Sequence, residues 1–260
     1  MEKGKRTNFF NMVCVFLSVL AVTLILVGWI SFAALNPRLM PGPAEVIERL
    51  IRTFTKPIAN TILFGHIWAS LRRVLIGLIF AWLVGIGLGI LIGWNKKVKA
   101  VLGSVLEILR PIPPIAWIPL VIMWFGIGEF SKVFIVFIGT IFGLIVNTSA
   151  GIRLVDSINV DVGRVFQGNQ RQILMDIVVP TALPSIFAGI RTSVSSGWTT
   201  VVAAEMLGAK LGLGSLVTKG WQGNDMALVL VAVISIAAIG ALLSTVLSRL
   251  EKVVCPWNNI

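Results

Sequence analysis

Charge is scarce in this chain. Of its 260 residues 13% are charged and 57% hydrophobic, where a soluble domain typically carries about 25% charged residues. A water-facing surface cannot be covered at that density, so an integral membrane protein is expected, and a mean hydropathy of +0.94 agrees. Cysteine and histidine are nearly missing too. Cys14 lies in the first apolar run and Cys255 near the C-terminus, which makes neither a disulfide framework nor a metal site. The lone His66 has no Cys or carboxylate at metal-ligand spacing and reads as a satisfied or interfacial histidine. No Gly-x-x-x-x-Gly-Lys-Ser/Thr phosphate loop occurs, so no cofactor is expected on this chain, and ATP-driven work would need another polypeptide. The net charge of +11 sits in short clusters at the ends of apolar runs. That distribution suits lipid phosphates and argues against nucleic acid, which would call for one basic stripe.

What the chain does have is apolar length. A bilayer core of about 30 Å needs about 20 helical residues, and candidate spans cover 10–35, 74–94, 111–127, 133–152, 186–207 and 226–247. A lone span in lipid satisfies its backbone hydrogen bonds only internally, so each is expected to be helical. The fold class is therefore an all-α membrane protein with six transmembrane helices and both termini on one side. Lys3, Lys5 and Arg6 precede a first run too long for a signal peptide, with no small-x-small cleavage site after it, so a retained anchor is expected. Those three cations, Lys96, Lys97, Lys99, Arg153, Arg164, Arg171, Arg249 and Lys252 share one side, which the positive-inside rule makes cytoplasmic. Arg38, Arg49, Arg52, Lys56, Lys132, Lys210 and Lys219 fall on the other. The expected organisation is an anchor with an outer amphipathic segment over 1–61, a membrane core over 62–250 and a cytoplasmic tail over 251–260.

Within this frame, Pro41-Gly42-Pro43 forms a turn, and 44–54 carries Val46, Ile47, Leu50, Ile51 and Phe54 at the spacing of a surface amphipathic helix. Gly85, Gly89 and Gly93 make a stripe that lets another helix approach closely. The third span holds Pro111, Pro113, Pro114 and Pro119, which a continuous helix cannot accommodate unbent. It reads either as a kinked helix beside a pathway or as a corner where an interfacial helix over 98–109 enters the membrane. Glu107 and Arg110 are spaced to pair at the cytoplasmic face. Between the fourth and fifth spans lies a polar elbow holding Arg153, Asp156, Asp161, Arg164, Arg171 and Asp176 and followed by Pro180 and Pro184. Inside it, Val162, Val165 and Phe166 suit apolar anchors, and Asp161, Arg164, Gln167 and Asn169 a polar rim, as a helix docking on a soluble partner would need.

The run Val160-Asp161-Val162-Gly163-Arg164-Val165-Phe166-Gln167-Gly168, followed by Ile177-Val178-Val179-Pro180 and Ala182-Leu183-Pro184, resembles the EAA loop of inner-membrane permease subunits of bacterial ABC importers. Aligned on Pro180, Asp161 takes the acidic position, Val162 and Gly163 the two alanines and Gln167 the usual glycine, with Gly168 one place late. Arg110-Pro-Ile-Pro-Pro-Ile-Ala-Trp-Ile-Pro-Leu, Trp124-Phe-Gly-Ile-Gly128 with Ser131-Lys132, Asn147-Thr148 with Ala150-Gly151, and Trp198-Thr-Thr-Val-Val-Ala-Ala-Glu205 are similar to the taurine, alkanesulfonate and nitrate importer permeases. Related permeases carry pyrimidine, flavin or aromatic-acid cargo.

This resemblance implies an ABC type-1 importer permease fold in the bacterial inner membrane, with no catalytic site and no metal. It implies two ABC ATP-binding subunits docked on the elbows of a permease and its second copy, and an extracytoplasmic substrate-binding protein delivering a small anion. The coupling residues would be Asp161, Val162, Gly163, Arg164, Phe166, Gln167, Gly168 and Pro180. Candidate pathway residues are Pro114, Trp117, Asn147, Ser195, Trp198, Thr199 and Glu205. The Ser/Thr stripe of the fifth span also suits plain helix packing. Glu205 reads either as a pathway carboxylate or as an interfacial one paired with Lys210. Arg191, near the inner end, either snorkels or meets an anionic cargo. A membrane-embedded enzyme would need convergent titratable groups, which His66, Cys14 and Glu205 do not supply in sequence; a scaffold without transport is the other alternative.

Overall fold

The computed structural model describes residues 2–36 and 39–259; Arg38 lies outside the described residues. Helix α1 spans Glu2–Leu35, α2 Pro43–Thr55, α3 Leu63–Trp94, α4 Lys96–Leu109, α5 Ile118–Phe125 and α6 Glu129–Arg153. The elbow holds α7, Ser157–Val165, and the single turn α8, Gln170–Gln172. A π-helical stretch, Ile173–Val178, then leads into α9, Val179–Met206; α10, Leu213–Gln222, and α11, Met226–Val254, follow. Among the described residues no strand forms, and five helical stretches are long and apolar enough to cross a membrane.

The third expected span, 111–127, belongs to a bent helix pair, which brings the spans to six if it is counted as one. Helix α4 and the segment Pro114–Phe125 meet at 90°, because Pro111, Pro113 and Pro114 cannot donate backbone hydrogen bonds across the break. Asn95 starts α4 by accepting from Lys97 N at 2.9 Å. Pro114 then opens a single 3-10 turn, and Pro119 sits in the first turn of α5, where a missing N–H costs nothing. Of the two readings of the proline run, the geometry is that of the corner. Other bounds differ as well: α3 begins eleven residues before the expected 74, because its first turns are held by protein contacts rather than by apolarity.

The core is the packing of α3 on α6 and of α6 on α9. Along α3, Gly77, Ala81, Gly85, Gly89 and Gly93 recur every fourth residue. A methyl on Gly77 would lie 2.7 Å from Val136 Cγ1, on Gly85 3.0 Å from Leu144 Cδ2, and on Gly93 2.7 Å from Ile152 Cβ. The partners advance in step with the glycines, so α3 and α6 run parallel, backbone nearly on backbone. Against α6, helix α9 is antiparallel: Gly197 faces Thr140, Gly189 faces Leu144 and Asn147, and Gly151 faces Ser185. Helix α11 closes the far side of α9, where Trp198 Nε1 donates to Ile236 O at 3.0 Å.

Over Val13–Leu35 helix α1 exposes nearly all its apolar side chains, as a lipid-facing span does; Trp29 Nε1 donates to Pro41 O at 3.1 Å and ties down its end. The expected amphipathic helix is α2, with Val46 buried and Arg49 paired at 2.8 Å with Asp225, the residue that caps α11. Helix α2, the start of α3, α10 and the start of α11 thus gather at one end of the bundle. The elbow, the end of α3 and the end of α11 lie at the other.

Candidate functional site

The elbow is built so that one face of α7 is held and the other is bare. Asp156 caps the helix by accepting from Ile158 N at 3.0 Å. Gly163 points inward, where a methyl would meet Ile177 Cδ1 at 2.6 Å and Ile173 Cγ1 at 3.2 Å. Helix α7 therefore sits directly on the π-helical start of α9. Outward, at i, i+4, i+7 and i+8, lie Ile158, Val162, Val165 and Phe166, exposed by 65%, 48%, 79% and 82%. Asp161 and Arg164 flank them as an exposed pair at 2.9 Å, a rim contact of small energy. Ile158, which the sequence reading left out, extends this apolar face; its i, i+4 relation to Val162 was the available signal.

The helix ends in the left-handed conformation at Gln167, with φ +58°, at the position where glycine was expected. Gly168 N then donates to Gly163 O at 3.0 Å and Gln167 N to Arg164 O at 2.9 Å, a glycine-type helix stop. The displaced glycine leaves the turn intact, because Gln167 adopts the left-handed conformation itself; Gly168 serves the close approach to Gly163 instead. Asn169 and Gln172 form a reciprocal capping box after it. Pro180 lacks the N–H that would bond Asp176 O, and the π turn immediately before it widens the helix there.

The pathway candidates divide into groups. Helix α9 turns Gly189, the half-buried Ser196 and Thr200 toward α6, Ser193 toward Trp82 of α3, and Val194 and Trp198 toward α11. Its open arc between them carries Arg191, Thr192, Ser195 and Thr199, all exposed. A groove of about 400 Å³ runs between α9 and α11, lined by Arg191, Ser195, Trp198, Thr199, Gly240 and Ser244 among others. Asn147, half-buried, borders the same arc on the α6 side, where its Nδ2 donates to Gly143 O at 2.8 Å. So the structure brings Asn147, Ser195, Trp198 and Thr199 together on one face. Pro114 packs against Gly139 of α6. Trp117 packs with Ile118, Ile135 and Ala204, its buried Nε1 without a partner.

Glu205 stands apart from that groove, and its expected partner is wrong. Lys210 is exposed; the carboxylate of Glu205, almost fully buried, accepts from Arg73 Nη1 at 2.7 Å, Ser70 Oγ at 2.9 Å and Gly214 N at 3.0 Å. Arg73 also donates from Nε and Nη2 to both oxygens of Glu129 at 2.7 Å, and to Leu211 O at 2.7 Å. Next to it, His66 accepts from Gly212 N at 3.1 Å and Nε2 donates to Ile58 O at 3.0 Å, the satisfied histidine that was expected. The first turns of α3 thereby grip the loop between α9 and α10. Sequence reading missed Arg73; the clue was a buried-run arginine following Arg72 inside an otherwise apolar helix. On α10, Lys219 Nζ donates to Lys210 O at 2.6 Å, and burial holds its ammonium below the ordinary lysine value. The expected Glu107–Arg110 pair is replaced by a cleft of about 130 Å³ that both line with Lys99 and Arg153; the two side chains lie around it rather than on one another. Among the described residues no cluster of His, Cys, Asp and Glu could hold a metal ion.

Comparison with known proteins agrees with this architecture. Residues 85–258 match the family described as binding-protein-dependent transport system inner membrane component. The taurine transport system permease protein of Escherichia coli (strain K12) is 33% identical over 248 residues, 94% of this chain and 90% of that protein. The nitrate import permease protein of Synechocystis sp. is 32% identical over 241 residues, covering 91% and 88%. A solved structure of the MetNI methionine ABC transporter in an inward-facing conformation superposes with a TM-score of 0.64 at 19% identity, covering 74% of this chain and 95% of that one; it shows the fold, that of ABC importer permeases. These relatives are transport permeases and not enzymes. A multi-pass α-helical chain that matches this family over most of its length is a member of it: an inner-membrane permease subunit of an ABC importer.

Proposed function

We propose that this subunit forms half of a translocation path for a small anion and is driven through its elbow by a separate ATPase. The observation that carries the reading is the bare stripe Ile158, Val162, Val165 and Phe166, on a capped helix seated on the origin of α9. An apolar face of that kind, rimmed by polar residues at the end of a membrane bundle, suits a protein partner better than water. Asp161, Arg164, Gln167, Gly168 and Pro180 position it. Two ATP-binding subunits would dock on the elbows of two copies of this chain, each copy turning the open arc of α6, α9 and α11 toward the other. Asn147, Ser195, Trp198 and Thr199 would line the path, beside the corner at Pro114 and Trp117. ATP binding would close the ATPase pair, draw the elbows together and open the path away from them; hydrolysis would reset it. The elbow end carries Lys96, Lys97, Lys99, Arg153 and Arg164 and is therefore cytoplasmic, with both termini, by the positive-inside rule. An extracytoplasmic binding protein would deliver cargo at the other end. The names of the relatives, taurine and nitrate permeases, support a sulfonate-like or nitrate-like solute.

Asp161→Lys combined with Phe166→Ala reverses a rim charge and removes an anchor so exposed that little packing within the subunit is lost. Uptake should vanish while the amount of protein in the membrane stays at the wild-type level; normal uptake by the double variant refutes the coupling role.

A further inference from the structure

We propose that Arg191 is the anion-binding group of the groove, held by Glu251 until a cargo oxyanion displaces it. This rests on the reading that the open arc lines the path. Arg191 projects from α9 and its Nη2 donates to Glu251 Oε2 on α11, so the pair bridges the two walls of the groove. The pair is lopsided: the Arg191 side chain is 51% exposed and that of Glu251 14%. The carboxylate is tucked against the protein, and the guanidinium stands open with N–H donors left over. Its planar fork matches a sulfonate, nitrate or carboxylate through two parallel hydrogen bonds. Several other donors of the groove are committed. Thr192 Oγ1 donates to Gly189 O at 2.9 Å, Thr199 Oγ1 to Ser196 O at 2.9 Å, and Trp198 Nε1 to Ile236 O. Ser195 and Ser244 offer neutral hydroxyls, and of the residues that line the groove Arg191 alone is charged, so charge recognition falls to it.

Position adds a mechanical side. Helix α9 continues directly from the π turn on which α7 rests, whereas Glu251 stands on the last turns of α11. A displacement of the elbow moves Arg191 relative to Glu251, and so alters how firmly the guanidinium is held. The guanidinium stays paired at either stage, while displacement leaves the Glu251 carboxylate without its cation, a cost that the cargo contact must exceed.

The test uses the purified chain in phosphatidylcholine nanodiscs, with methanesulfonate as the probe and dimethyl sulfone as its neutral counterpart, read by thermal stabilisation. Wild type should be stabilised saturably by methanesulfonate and not by dimethyl sulfone. Arg191→Gln should weaken methanesulfonate binding at least about tenfold, and Arg191→Lys, which keeps the charge but loses the fork, by less. Glu251→Gln should tighten it about two- to fivefold, the range expected when a partly exposed ion pair stops competing. A gain of affinity cannot come from misfolding. Binding by Arg191→Gln equal to wild type, or equal stabilisation by the sulfone, overturns the inference. If Arg191→Gln binds normally while the elbow double variant has lost uptake, the inference fails and the permease reading stands. If binding follows Arg191 while the elbow variant still transports, Arg191 keeps its role and coupling through the elbow is lost.

Discussion

Arg73 shows how one side chain can hold three elements. It joins α3 to Glu129 at the start of α6 and to Glu205 at the end of α9, with Leu211 O as a fourth acceptor. Removing one partner of a buried ion pair costs about 3–5 kcal/mol, because a charge is left buried without compensation. Arg73→Gln strands Glu205 and should therefore lower the unfolding free energy by about that amount. Glu205→Gln leaves Arg73 still gripping both oxygens of Glu129, so its loss should be the smaller one. Denaturant unfolding in detergent measures both; a Glu205 variant as damaged as the Arg73 variant would contradict this division. The sequence singled out Glu205 as a costly carboxylate but supplied the nearest cation in the chain, Lys210, as partner. Arg73 is 132 positions away, and no local pattern connects them. Arg191 and Glu251, 60 positions apart, were hidden for the same reason.

At the scale of elements, the glycine stripe of α3 is a contact surface with a direction. Gly89 faces α6, where a methyl would lie 2.8 Å from Thr148 Cγ2 and 3.0 Å from Ile145 O, while Gly87 has open space. Gly89→Val must push α3 and α6 apart and should cost about 1–3 kcal/mol, the usual range for overpacking. Gly87→Val, two residues along the same helix, carries the same change in helix propensity without the clash. The difference in thermal midpoint between the two variants isolates the packing; equal midpoints would mean that the stripe is not the close contact described. Spacing alone made the stripe legible in the sequence, since every fourth small residue falls on one helix face. It could not say that the partner is α6 or that the two helices run parallel. The proline run was similarly half legible: a break was certain, but its 90° angle depends on how α5 packs on α6.

For the molecule as a whole, the proposed orientation puts the elbow in the cytoplasm and the Asp225 end outside. Cysteines introduced at Ser157 and Asn224, both exposed, should label oppositely in intact cells. A membrane-impermeant maleimide should reach the Asn224→Cys variant and spare Ser157→Cys until the membrane is opened; the reverse pattern would invert the topology and remove the elbow from any cytoplasmic ATPase. Some of this protein was decided by the chain's local chemistry. Scarce charge and long apolar runs determine a helical membrane protein, since an isolated span in lipid has no other way to satisfy its backbone. Proline and glycine placement marked the corner and the elbow, because their effects on φ and on hydrogen bonding act within a few residues. Tertiary structure alone decided which helices touch, which faces stay open and which charges meet. Arg73 with Glu205, Arg191 with Glu251, and the arc of Asn147, Ser195 and Thr199 are juxtapositions of residues far apart in the chain. Distance in space there is set by helix packing, which no local sequence pattern encodes.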